Sequence, residues 1–128
     1  MSNIPADLKY AKSHEWVRVE GDTATVGITD FAQHELSDIV FVELPAVGRQ
    51  IKVGDACAVV ESTKNASDIY APVSGQVTAI NQDLANDSAL ANQDPYGKGW
   101  FFKLKLSQAS ELGDLLTPAQ YSEAISGH

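Results

Sequence analysis

Apolar and polar positions alternate with a period of two along most of the chain, and this pattern predicts a mainly β fold. Residues 14–20 and 23–28 flank Gly21-Asp22 and read as a hairpin; residues 39–44 stop at Pro45; residues 76–80 and 100–106 continue the alternation. A second hairpin joins the small and β-branched run Ala56-Cys57-Ala58-Val59-Val60 to Ile69-Tyr70-Ala71. Polar Ser62, Thr63, Asn65 and Ser67 fill its tip, and Lys64 stands among them. Gly54-Asp55 lies about as far before Lys64 as Pro72 to Gly75 lies after it, so the turn signals are nearly symmetric about the lysine. The expected hairpin spans about residues 54–75 and displays one residue.

Helical signals are few. Thr29 is placed to cap a short helix that has Asp30 in its first turn and runs through Leu36. Thr117-Pro118-Ala119-Gln120 is a stronger start: Thr117 caps, Pro118 suits the first helical position and Gln120 completes a capping box. That helix is expected over about residues 117–126, ending near Gly127. Ser107 is expected to cap one further turn through Leu112.

Composition narrows the function classes. A chain of 128 residues with 44% hydrophobic content is expected to be one domain over residues 1–128, with a real core but little room for an enzyme of two substrates. No Pro-, Gly- or Ser-rich linker divides it. Nine basic against seventeen acidic residues give a net charge of −8, which disfavours nucleic acid and anionic membrane as partners. Cys57 is the sole cysteine, so an internal disulfide is excluded. No apolar run approaches the roughly 20 residues of a membrane span. Residues 1–7 show neither a secretory signal nor an Arg-rich transit helix. The expectation is a cytoplasmic bacterial protein, or a mitochondrial-matrix protein whose presequence has been removed.

The chemistry open to Lys64 follows from its neighbours. A Schiff-base lysine must lose its proton near neutral pH, which from a reference pKa of about 10.4 requires burial or a cationic neighbour. Lys64 has hydroxyl, amide and carboxylate neighbours instead, an arrangement suited to presenting an amine to a modifying enzyme. Other constellations are weak. His14, His34, His128 and Cys57 show no metal-ligand spacing, Cys57 reads as a small core residue, Gly97 and Gly99 form no phosphate loop, and Trp100-Phe101-Phe102 reads as a core strand. Tyr70 is read as a strand aromatic in preference to a docking surface.

Glu61-Ser62-Thr63-Lys64-Asn65-Ala66-Ser67-Asp68 followed by Pro72-Val73-Ser74-Gly75 resembles the lipoyl-attachment signature of the glycine cleavage system H protein family. Further matches are Lys9-Tyr10, Ser13-His14-Glu15-Trp16, Val26-Gly27-Ile28-Thr29 with Ala32-Gln33, and Asp38 to Pro45. Asn92 to Tyr96 with Gly99-Trp100, and Leu112 to Leu116 with Tyr121, extend the resemblance almost end to end. It implies a lipoyl/biotinyl-type hammerhead β-sandwich, or flattened barrel, with short helices and a C-terminal helix. It implies lipoate on Lys64, with Glu61 in the attachment motif. Biotin is disfavoured, because biotinyl carriers flank the lysine with methionines and the only methionine here is Met1.

The implied role is that of a non-catalytic, monomeric shuttle. It takes the aminomethyl group of decarboxylated glycine from a pyridoxal-phosphate glycine decarboxylase (P protein) to a tetrahydrofolate-dependent aminomethyltransferase (T protein). Dihydrolipoyl dehydrogenase (L protein) then reoxidises it, and a lipoate ligase or lipoyl/octanoyl transferase installs the cofactor. Ser13, Glu15 and Asp68 match positions that line a cleft protecting the cargo; as residues alone they also read as edge-strand and turn polar groups. Thr63 and Asn65 stand where many relatives carry Val and Ala, and Phe31 stands where His is common. Two alternatives are an H-like carrier relaying lipoyl groups to other dehydrogenase complexes, and a β-sandwich binding module whose Lys64 is never modified.

Overall fold

The computed structural model describes residues 3–126. In chain order the elements are β1 (Lys9–Tyr10), β2 (Glu15–Glu20), β3 (Thr23–Ile28), α1 (Asp30–Leu36), β4 (Ile39–Glu43), β5 (Gln50–Ile51), β6 (Ala56–Ser62) and β7 (Ala66–Tyr70). They continue with β8 (Gly75–Ile80), α2 (Gln82–Asn86), α3 (Leu90–Gln93), β9 (Phe102–Leu106), a 3₁₀ helix (Ala109–Asp114) and α4 (Pro118–Ser126). The described strands form two antiparallel sheets, one in the order β1-β2-β3-β9-β8-β5 and one in the order β4-β6-β7. The expected mainly β sandwich with short helices and a C-terminal helix is present. The sheets remain separate and do not close into a barrel.

Inward positions from both sheets, including Val26, Val42, Val60, Ile69, Val77 and Leu104, meet in one core. Phe101 and Phe102 are fully buried there, as the aromatic run predicted, and Cys57 is buried with its Sγ 3.4 Å from the Ile69 carbonyl. A smaller cluster of Leu8, Tyr10, Trp16 and Tyr121 fastens α4 to the start of the chain. Tyr10 and Tyr121 stack with ring centroids 4.7 Å apart, and Tyr10 N–H donates to the Leu116 carbonyl at 2.9 Å.

Local chemistry explains most boundaries. Glu20 pairs with Thr23 across the Gly21-Asp22 turn, where Gly21 adopts φ +63°. β2 begins at Glu15, one residue later than expected, because His14 has φ +76° and cannot extend the strand. Thr29 Oγ1 accepts from Ala32 N–H at 3.2 Å and caps α1. The box before α4 is reciprocal, with Gln120 N–H donating to Thr117 Oγ1 at 3.2 Å and Thr117 N–H donating to Gln120 Oε1 at 3.0 Å. Thr117→Ala removes one of these bonds, and a stability loss of about 1 kcal/mol is expected in urea unfolding. The expected end of this helix at Gly127 lies outside the described residues.

Ser107 does not cap a helix. Its N–H donates to the Ser74 carbonyl at 3.2 Å, and the 3₁₀ helix follows Gln108 without a side-chain cap. Trp100 and Phe101 precede β9 instead of opening it, yet Phe101 N–H still donates to the Val26 carbonyl at 2.8 Å.

Candidate functional site: the Lys64 hairpin and its adjoining cleft

β6 and β7 pair in the register Val59↔Asp68, Val60↔Ser67 and Glu61↔Ala66, which leaves Ser62 to Asn65 to make the tip. Ser62 organises it. Its Oγ accepts from Lys64 N–H and Asn65 N–H, each at 3.1 Å, and its backbone N–H donates to the Asn65 carbonyl at 2.8 Å. Thr63 N–H donates to the Asp38 carbonyl at 3.0 Å, tying the tip to the residue that precedes β4. Backbone bonds therefore fix the turn, while the Lys64 side chain is exposed and makes no hydrogen bond or ion pair among the described residues. Glu61, one step inside the tip on β6, is also exposed.

The base of the hairpin is equally fixed. Gly54 N–H donates to the Ala71 carbonyl and Ala71 N–H to the Asp55 carbonyl, both at 2.8 Å, so the two symmetric turn signals of the sequence meet in space. Gly54 adopts φ +89°. A Cβ on Gly75 would lie 2.4 Å from the Lys105 carbonyl oxygen, so this strand start admits only glycine without a shift of backbone. Glu111 clamps the segment between, accepting from Ser74 N–H at 2.7 Å and from Ser74 Oγ at 2.8 Å.

Beside β7 lies a cleft of about 260 Å³ lined by Ser13, His14, Ile28, Phe31, Ala32, Glu35, Leu36, Ser67, Asp68 and Ile69. Ser13 and Asp68 thus share one cleft, although 55 positions separate them in sequence. Asp68 is exposed, and its carboxylate accepts no hydrogen bond among the described residues. Glu15 lies deeper. It is 1% exposed, accepts from Ser13 Oγ through Oε1 and from Tyr70 N–H at 3.2 Å through Oε2, and does not line the cleft. Burial raises its pKa from the ordinary carboxylate value to about 7, against the lowering effect of the Ser13 and Tyr70 hydrogen bonds.

Two cleft features escaped the sequence. Phe31 forms part of the cleft wall, and its ring centroid is 4.9 Å from that of His14, which brings an imidazole to the cleft from β2's leading edge. Tyr121, from α4, reaches the same region with its hydroxyl 2.9 Å from His14 Nδ1 and 2.7 Å from Thr29 Oγ1. These groups are more than ninety positions apart in the chain, and periodicity carries no signal for such a contact. Among the described residues no three His, Cys, Asp or Glu side chains gather to hold a metal ion.

A sequence model of the family described as Glycine cleavage H-protein matches residues 8–128. The chain belongs to the glycine cleavage H-protein family. It is 58% identical to the glycine cleavage system H protein of Idiomarina loihiensis over 126 residues, which cover 98% of each chain. It is 52% identical to that of Carboxydothermus hydrogenoformans over 125 residues, covering 98% of this chain and 96% of the relative. A crystal structure of a glycine cleavage system H protein from Mycobacterium marinum superposes with a TM-score of 0.89 at 40% identity, covering 96% of this chain and 99% of that one. Membership makes this chain a carrier component of the glycine cleavage system, in a family of lipoyl carriers. No described helix is long and apolar enough to cross a membrane.

Proposed function

We propose that Lys64 is the residue that carries lipoate and that the whole chain, as one domain, acts as a non-catalytic cytoplasmic shuttle. The observation that carries this reading is the placement of Lys64: an exposed amine on a tip whose shape is set by Ser62 and the Asp38 carbonyl, independently of the lysine side chain. An enzyme that acylates this amine therefore meets a preformed turn. Glu61 stands one strand position from the tip as part of the surface such an enzyme reads. A lipoate ligase or lipoyl/octanoyl transferase is the partner for that step.

The site also fits the attached group. Ser67, Asp68 and Ile69 lie three to five residues from Lys64 along β7, a distance of roughly 10–16 Å in a strand. A lysine side chain extended by a medium-length acyl chain spans that range and can fold back to the cleft. Bound lipoate supplies a redox-active dithiolane that accepts and surrenders an aminomethyl group. Ile28, Ala32 and Leu36 give the cleft apolar walls that exclude water, while Ser13 and Asp68 supply acceptors for a cationic amine. Glu15 acts from beneath through Ser13. The partners in this reading are the pyridoxal-phosphate decarboxylase, the aminomethyltransferase and dihydrolipoyl dehydrogenase, each meeting a monomer through the mobile arm.

Intact-mass analysis of protein purified from lipoate-replete cells, with peptide mapping around Lys64, tests the assignment. One lipoyl increment on the Lys64 peptide is expected. An unmodified lysine beside a modified control lipoyl protein from the same cells would reject it.

A further inference from the structure

We infer that Tyr121 is a positioning residue of the cleft: through a directed hydrogen-bond chain from Thr29, its hydroxyl fixes the His14 ring in the Nε2–H tautomer and holds it as part of the cleft wall. This deepens the carrier reading above and rests on it for its functional consequence.

The direction of the chain follows from counting hydrogens. Ala32 N–H donates to Thr29 Oγ1 at 3.2 Å, in the cap of α1. The Thr29 hydroxyl is fully buried, and its one other hydrogen-bonding neighbour among the described residues is Tyr121 Oη at 2.7 Å. Thr29 therefore donates to Tyr121, since the opposite arrangement leaves a buried hydroxyl hydrogen without an acceptor. The hydrogen of Tyr121 is then directed to its second neighbour, His14 Nδ1, at 2.9 Å. Burial raises the Tyr121 hydroxyl pKa to about 12, so the phenol keeps the hydrogen it donates. A neutral imidazole that accepts at Nδ1 carries its proton on Nε2.

The backbone supports the same placement. His14 sits at φ +76°, a conformation costly for a non-glycine residue, and is held there by His14 N–H donating to the Ala11 carbonyl at 3.0 Å and by Thr29 N–H donating to the His14 carbonyl at 3.0 Å. The ring it presents packs on Phe31 and lines the cleft. Tyr121 is in turn seated by its stack on Tyr10. The C-terminal helix thus reaches through the smaller core cluster to set one wall of the cleft, and the orientation of the imidazole in that wall is fixed from α4.

The test uses the unmodified and the lipoylated protein. Nitrogen-15 NMR of the unmodified wild type is expected to show His14 as a single neutral tautomer with its proton on Nε2. Tyr121→Phe keeps the ring that stacks on Tyr10 and removes the hydroxyl; the tautomers are expected to mix, and a cooperative unfolding transition lowered by no more than the orphaned Thr29 hydroxyl costs shows the ring still packed. On the lipoylated, aminomethyl-loaded protein without aminomethyltransferase, ammonia release from Tyr121→Phe is expected to be roughly three- to tenfold faster than from wild type, the size of one lost hydrogen bond. A wild-type His14 protonated on Nδ1 overturns the inference whatever the variant does, as does a variant with unchanged tautomer and unchanged release. Absence of lipoyl on Lys64 would instead defeat the carrier reading, and the tautomer signal would still decide this one.

Discussion

Lys64→Arg is expected to abolish glycine cleavage and leave the fold intact. The side chain at this position touches nothing whose loss would be felt, and the tip depends on Ser62 Oγ, the Asn65 carbonyl and the Asp38 carbonyl, all reached by backbone groups that arginine retains. A stability change within about 0.5 kcal/mol is the ordinary outcome for such an exposed substitution. Arginine also preserves the net charge of −8, so the encounter with partners is not altered electrostatically. It lacks the primary amine that forms the lipoyl amide. In a reconstituted system of the decarboxylase, aminomethyltransferase and dehydrogenase, the variant is expected to support no turnover above the rate without carrier, and its mass is expected to stay that of the bare chain. Turnover at an appreciable fraction of the wild-type rate would remove Lys64 from the reaction.

How far such a site is legible in sequence depends on whether its parts are local. The hairpin was readable because its turn and strand signals lie within the segment itself, in β-branched strands, polar tip residues, and Gly54, Pro72 and Gly75 at the base; the supporting contacts from Asp38, Lys105 and Glu111 carry no such signal. The box at Thr117 and Gln120 was readable for the same reason, its two bonds lying within four residues. The turn expected through Leu112 is present as the 3₁₀ helix, but it starts one residue late, after Gln108, while Ser107 is held by its N–H on the Ser74 carbonyl 33 positions away. Helices α2 and α3 were not foreseen because they are four or five residues long and neither is capped by a side chain; Asn81 spends its amide on the Lys98 and Trp100 carbonyls.

The cleft shows the same division. Ser13 and Asp68 come from the resemblance, and the fold brings them together. Alternation along β2 did carry one unused signal: Glu15 shares the phase of Val17, a buried position, so its carboxylate was marked for the inside. The His14 and Tyr121 contact was invisible, because a hydroxyl from the last helix completes a loop at the start of the chain.

That inward phase leads to the second large effect, a loss of wild-type stability as pH rises that Glu15→Gln removes. Burial raises the Glu15 pKa from an unfolded value near 4.5 to about 7 in the fold. Below both values the carboxyl is protonated in each state and costs nothing. Between them the unfolded chain gives up the proton while the fold keeps it, so the folded state binds more protons and stability falls with pH. Above about 7 the loss is complete, at about 3 kcal/mol for a shift of this size. Glutamine is neutral throughout and can still accept from Tyr70 N–H. The stability of Glu15→Gln relative to wild type, from urea unfolding at matched pH, is therefore expected to rise by about 3 kcal/mol between pH 4.5 and 8. Histidines common to both proteins cancel in that difference, and the Cys57 thiol, pushed up to about 12 first by burial and then by the charge of Glu15, stays neutral across the range. Parallel curves for the two proteins would show that Glu15 does not titrate as its burial dictates. A carboxyl held in this state is poised for a positive charge: a cationic amine brought to Ser13 favours the ionised form and recovers part of the burial cost. Glu15→Gln should consequently become the more stable protein at neutral pH and the poorer keeper of an amine cargo, and those opposite shifts separate a residue retained for function from one retained for the fold.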